Sequence, residues 1–386
     1  MTDTRRIVLH AGLPKTGTTS IQTAFYAERG HLLDRARLLY PSLSANLTDA
    51  LCTLFHDDPR KHITNKLAGL TTLEAIVPLQ REYLDALDAE ILSTDWDTLL
   101  LSAEGVSNLS SRALARLREW GDRFASQWTV LLCVRHPVDY VRSHIQQILK
   151  SGTTLAELYD KIPGPAYRWK ASNLIEVFGR ENMTVYDFES ARKHGGGVVG
   201  AFADRVGLAG PLLDLLTAQN VRKNPSLSHE AVLLLDSVNR QRPMFDGDAR
   251  APRRSGRELA YLSRIRGHRF HLPAPVEDDI RDSTRGDIDW LNAEFSLDLY
   301  PDVLSSPTGG GHLHTPATTL REDTVDDIAD VIVELTTTTT FLHLLECGRV
   351  AFSQGDLETA RQRFSEAERL NPDSPQPRAW LAKLHE

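Results

Sequence analysis

The chain has 386 residues, enough for one large domain plus a smaller one. Apolar content of 41% and charged content of 25% suit a globular protein that buries a sizeable core. A formal net charge of -8 excludes sequence-independent binding to nucleic acid, which needs a basic face, but leaves room for a local basic pocket. The three cysteines, Cys52, Cys133 and Cys347, are far apart and odd in number, so neither a disulfide framework nor a metal site is expected. Cys133 lies in an apolar run and reads as a core thiol. Arg5 and Arg6 precede Ile7–Leu9, which is too short for a signal-peptide core, and no stretch approaches a membrane span. The expected location is the cytoplasm.

Short apolar runs bounded by turn residues predict parallel strands at Arg6–Ala11, Thr98–Ala103, Thr129–Val134 and Thr184–Phe188, with a weaker one at Arg37–Tyr40. Between them, Thr72–Ser93 carries Leu73, Ile76, Leu79, Tyr83, Leu84, Leu87 and Ile91 at helical spacing, and Ser110–Phe124 carries Leu114, Leu117 and Trp120. Strands alternating with helices predict an α/β fold with a central parallel sheet flanked by helices, whose ligands bind beyond the carboxyl ends of the strands. Later segments are more helical, with candidates at Ser228–Arg240 and Ser255–Arg266. The run Ser305–Gly311 reads as a flexible linker. Thr324–Leu335 is an amphipathic helix through Ile328, Val331, Ile332 and Leu335. After the Thr336–Thr340 run, Gly348, Gly355, Ala360, Phe364, Ala367 and Pro372 fall at the spacing of a tetratricopeptide (TPR) repeat. The expected division is 1–304 for the α/β domain, 305–323 for a linker and 324–386 for an all-α TPR-like segment able to recruit a protein partner.

The first strand runs into Gly12–Ser20 and then a helix with Ile21, Ala24 and Phe25. A strand, a glycine-containing loop and a helix N-terminus form a phosphate cradle. Gly12 and Gly17 have Walker spacing, but Thr18 stands where a kinase carries lysine, and Lys15 sits inside the loop. A second signal is Arg135 at the end of a strand, followed by Pro137 at the first position of a helix that bears Ser143. Arginine suits a phosphate because its planar fork donates to two oxygens.

Pro14, Lys15, Thr16, Gly17, Thr18 and Thr19 resemble the 5′-phosphosulfate loop of sulfotransferases that use PAPS (3′-phosphoadenylyl sulfate), the carbohydrate-type bacterial members in particular. Arg135 and Ser143, eight residues apart, resemble the 3′-phosphate site of that family. The resemblance implies a P-loop-like fold and transfer of a sulfuryl group from PAPS to a hydroxyl or amine, with 3′,5′-ADP released and no metal. It implies that Lys15 meets the bridging oxygen of the donor and that the loop backbone and hydroxyls hold the 5′-phosphate. Arg222 and Lys223 resemble a late loop that closes over the nucleotide, with an exposed loop as the alternative. The cluster Arg253, Arg254, Arg257, Arg264, Arg266 and Arg269 is either a solvated face or a site for an anionic acceptor such as a glycan.

Glu104, just past the third strand, is the candidate base, with a histidine as the alternative. His10 reads as a core histidine, and His136 and His144 as structural. The expected acceptor is a small molecule or glycan. Two other readings stay open: a P-loop kinase or nucleotidase using ATP, and a catalytically inactive binding protein recruited through its TPR-like end.

Overall fold

The computed structural model describes residues 5–218, 226–241, 245–246, 249–250, 258–304 and 322–384. By its contacts the chain forms two compact units, Met1–Ser226 with His271–Leu313, and Leu227–Phe270 with His314–Glu386.

The first unit is built on a five-stranded, all-parallel sheet of order β2-β3-β1-β4-β5. The strands are β1 Arg6–His10, β2 Leu38–Leu39, β3 Thr98–Ser102, β4 Gln127–Val134 and β5 Met183–Asp187. All five expected strands are present, with ends that move by one or two residues. The central strand β1 pairs on both sides, Val8 standing between Leu100 and Thr129. Both faces of the sheet are covered, which is why β1 and β3 read as unbroken apolar runs: Ile7, Val8, Leu9, Leu99, Leu100 and Leu101 are all buried. Only two residues of the expected edge strand pair. Arg37 takes a left-handed conformation (φ 50°) and its side chain is held by Asp95 and Asp97, so the chain joins the sheet one residue later.

The helices have readable causes. Thr72 and Ser110 cap the helices Leu73–Ser93 and Ser111–Gly121, their hydroxyls accepting from Ala75 N and Ala113 N. Pro137 opens the helix Pro137–Lys150 at a position where no hydrogen bond is lost. The helix Tyr167–Phe178 buries Tyr167, Lys170, Ala171, Leu174 and Phe178, one stripe at helical spacing. No helix of the described residues is long and apolar enough to cross a membrane.

In the second unit the helix His229–Gln241 buries Glu230, which accepts from His268 N at 3.0 Å and pairs with His268 Nδ1 at 2.6 Å. The segment expected as a helix over Ser255–Arg266 is helical at Glu258–Leu262, with 251–257 outside the described residues. Thr324–Leu335 does not end at the threonine run: one helix spans Glu322–Ser353 and carries Thr336–Thr340 within it. Packing farther along holds that weak helix former in place, because Phe341 and Leu345 are buried in the cluster with Ala360, Phe364 and Ala367. After the turn at Gly355 the helix Leu357–Leu370 returns, and Pro375–Lys383 follows. A Cβ on Gly348 would lie 2.6 Å from the Phe364 ring, which stacks on Trp380 at 5.5 Å. The expected linker at 305–323 lies outside the described residues except for Glu322 and Asp323.

Candidate functional site

The candidate site lies at the carboxyl edge of the sheet. β1 is prolonged past His10 by Ala11 N donating to Leu131 O, while Ala103 N donates to His10 O. The loop 12–17 therefore leaves the sheet between β3 and β4, beside the residues that follow those strands. Gly12 is required by space, since a Cβ there would lie 2.2 Å from Thr18 Cγ2. Gly17 is required by conformation (φ 82°), and Lys15 is also left-handed (φ 67°), unusual for a side-chain-bearing residue.

Gly17 starts the helix Thr18–Ala27 with no side-chain cap. The main-chain N–H groups of Lys15, Thr16, Gly17, Thr18 and Thr19 donate to no acceptor among the described residues, whereas Ser20 N and Ile21 N return to Gly17 O. Unused donors over a turn with two left-handed residues, at the positive end of a helix, make an anion-binding concavity. The hydroxyls of the loop face inward: Thr16 Oγ1 donates to Leu13 O at 2.7 Å and Thr18 Oγ1 to Glu104 Oε1 at 2.6 Å. Both threonines are buried, Thr19 is exposed and Pro14 is half-buried.

Glu104 opens a short 3-10 turn, Glu104–Asn108, just beyond β3. Gly105 N donates to Thr48 Oγ1, and Ser107 Oγ donates to Glu104 O and, at 3.4 Å, to Gly12 O, tying this turn to the loop. Arg135 follows β4. Its Nη1 donates to Lys15 O at 2.9 Å, its guanidinium lies 4.9 Å from the Phe188 ring centre, and its Nε is buried without a partner. Tyr167 donates from its hydroxyl to Arg135 O. The structure thus brings Lys15, Thr18, Glu104 and Arg135 together. Ser143 sits half-buried on the helix Pro137–Lys150 with no side-chain hydrogen bond among the described residues. Arg222 and Lys223 lie outside the described residues.

The electrostatics favour an anion. Burial lowers the Lys15 pKa, the Lys150 ammonium and Arg135 lower it further, and Glu104 opposes them. Burial also lowers Arg135. Sequence reasoning missed Lys150 and Lys170 and set His144 aside as structural. Lys170 is only 6% exposed, and burial pushes its pKa down to about 8. His144 is held down at about 4 by burial and by the charges of Lys170 and Lys15. The sequence did carry one signal, since Lys170 occupies the apolar stripe of its helix beside Tyr167, Ala171 and Leu174.

The other described candidates have partners within the chain. His10 is fully buried and hydrogen-bonded to Ser102 Oγ at 2.8 Å. His136 pairs with Asp302 and packs against Tyr300. Of the arginine cluster, Arg264 pairs with Glu334 and Arg266 with Asp327, so these two serve the packing of the second unit. Arg253, Arg254 and Arg257 lie outside the described residues. No group of three or more His, Cys, Asp and Glu is placed to hold a metal among the described residues.

No family model matches the chain, and no curated protein matches it. Among the solved structures similar to the chain are two sulfotransferases. A sulfotransferase from Alicyclobacillus acidocaldarius is 13% identical over 78% of this chain and 99% of its own, with a TM-score of 0.43. The sulfotransferase domain from the curacin biosynthetic pathway is 14% identical over 70% of this chain and 98% of its own, with a TM-score of 0.31.

Proposed function

We propose that the chain is a sulfotransferase that takes the sulfuryl group from PAPS and delivers it to an acceptor hydroxyl or amine, releasing 3′,5′-ADP. The observation that carries this reading is the hydrogen bond from Arg135 Nη1 to Lys15 O at 2.9 Å. It joins an arginine at the end of β4 to the backbone of a loop with five unused N–H groups. Two phosphate sites fixed to one another suit a nucleotide with phosphates at both the 3′ and 5′ positions. A kinase site would instead need a lysine after Gly17, where Thr18 stands with its hydroxyl given to Glu104.

In this reading the loop N–H groups of residues 15–19 hold the 5′-phosphate, and Arg135 with Ser143 holds the 3′-phosphate. The acceptor oxygen attacks sulfur, the bond from sulfur to the bridging oxygen breaks, and that oxygen keeps the electron pair. Lys15 and the helix N-terminus stabilise the charge that grows there. Glu104 Oε1 is occupied by Thr18, and Oε2 takes the proton of the acceptor. Arg222 and Lys223 remain candidates for closing over the nucleotide. The C-terminal hairpin, with Gly348 against Phe364, is read as a TPR-like unit for a protein partner, attached to the donor-binding domain.

Titration calorimetry of 3′,5′-ADP against 5′-AMP, each with and without magnesium, tests the donor. The expectation is tighter binding of 3′,5′-ADP by about tenfold or more, without need of magnesium. Equal affinity for the two nucleotides would refute the reading.

A further inference from the structure

Beyond the groups assigned to the donor, the site holds more positive charge than its carboxylates balance. Lys170 on the helix Tyr167–Phe178 is buried, with its Nζ 6.0 Å from the centre of the Tyr140 ring. The Tyr140 ring lies 5.4 Å from that of His144, whose Nδ1 is buried without a partner. Lys150, half-buried on the same helix as Tyr140 and His144, is close enough to Lys15 to repel its charge. His144 in turn feels the charges of both Lys15 and Lys170, so it lies within reach of both.

Against Lys15, Arg135, Lys150 and Lys170 the surroundings offer Glu104, which accepts from Thr18, Asp139, which is taken by Arg142 at 2.5 Å, and Glu189, which is taken by Arg192 at 2.8 Å. No ion pair or hydrogen bond joins Lys150 or Lys170 to a carboxylate among the described residues. A buried ammonium without an anion is costly, so its retention asks for a partner that arrives from solution. The donor phosphates would engage Lys15 and Arg135, with Lys150 beside Lys15, which leaves Lys170 and the free nitrogen of His144.

We propose that the acceptor carries an anionic group, a carboxylate or a phosphate, near its reacting hydroxyl or amine, and that Lys170, with His144, receives it. This rests on the sulfotransferase reading for the identity of the reaction, but the anion site has its own geometry and its own test. It also adds specificity: a neutral acceptor would leave Lys170 buried and unpaired, a penalty that discriminates against it.

The test is titration calorimetry on the full chain, with and without saturating 3′,5′-ADP, using matched probes. These are 4-hydroxybenzoate against its methyl ester for the carboxylate arm, and glucose 6-phosphate against glucose for the phosphate arm. At least one anionic probe should bind about tenfold or more tighter than its neutral twin. Lys170→Gln should remove most of that preference, His144→Gln should weaken it, and each should leave 3′,5′-ADP affinity within about twofold. Thermal unfolding confirms that each variant is folded, and the half-buried position of His144 keeps the second variant informative if the first is unstable. Equal binding of twins, a preference that survives both substitutions, or no binding of any probe to protein that binds 3′,5′-ADP would overturn the anion site. Lysine-dependent binding of an anionic probe in protein that ignores 3′,5′-ADP would uphold the anion site and sink the donor reading instead.

Discussion

Acid should destabilise the sheet unit well before its carboxylates titrate, through His10. This histidine ends β1, is fully buried, and has its Nε2 without a partner against the Phe202 ring, 4.5 Å away centre to centre. A proton there would place a charge with no acceptor and no solvent, and burial pushes the pKa down to about 3. An unfolded histidine titrates near 6.5. The folded value is the lower one, so the unfolded chain takes up the proton first. The contribution of neutral His10 is complete above about pH 6.5 and is lost as pH falls towards 3. Between pH 6.5 and 5 the loss is about 1.6 kcal/mol, because the unfolded histidine is half protonated at pH 6.5 and the full ~1.36 kcal/mol per pH unit applies only well below it. His144, held at about 4, loses a similar amount in the same range. Together they remove about 3 kcal/mol from a stability that is typically ~5–15 kcal/mol. Urea unfolding followed by tryptophan fluorescence measures this, because five of the six tryptophans lie in the sheet unit and only Trp380 lies in the other. Replacing His10 with Gln has some cost of its own, so the slope with pH is the readout. Between pH 6 and 5 it should fall by about 1.2 kcal/mol per pH unit. A slope that His10→Gln leaves unchanged would show that His10 is not the neutral buried group described.

Three further perturbations test other parts of the structure. Gly17→Ala combines a left-handed backbone (φ 82°) with a Cβ only 2.9 Å from Val198 Cγ2, and should cost about 1–3 kcal/mol and weaken 3′,5′-ADP binding. Adding Val198→Ala should restore the steric part alone; full recovery in urea unfolding would show that the backbone conformation is not strained. Arg135→Ala removes both the bond to Lys15 O and the guanidinium fork, so calorimetry should show a loss of about 10- to 100-fold for 3′,5′-ADP and a smaller loss for 5′-AMP. Equal losses would place Arg135 in loop support rather than at the 3′-phosphate. Phe364→Ala empties the space between Gly348 and Trp380 and should cost the second unit about 3–5 kcal/mol, read from the Trp380 signal in near-UV circular dichroism during thermal unfolding. An unchanged midpoint would mean that Phe364 does not hold the hairpin.

The parts of this fold that could be read from sequence are those where chemistry is local. β1, β3, β4 and β5 showed themselves because a parallel sheet covered on both faces needs consecutive apolar residues. The loop showed itself because close approach to Thr18 and a left-handed turn each require glycine, at positions 12 and 17. The threonine run misled for the opposite reason: its weak local preference was overridden by packing at Phe341 and Leu345, outside the run. The candidate site divides along the same line. Lys15, Glu104 and Arg135 follow strand ends, and the sheet order alone brings strand ends to one edge. Tyr140, His144, Lys150 and Lys170 come from the middles and ends of two helices, where periodicity gives a face but not what that face meets. Lys170 was nonetheless detectable as a contradiction, a lysine within an apolar stripe. A buried cation set among core residues is the local sign that a distant part of the chain, or a ligand, must supply its counter-charge.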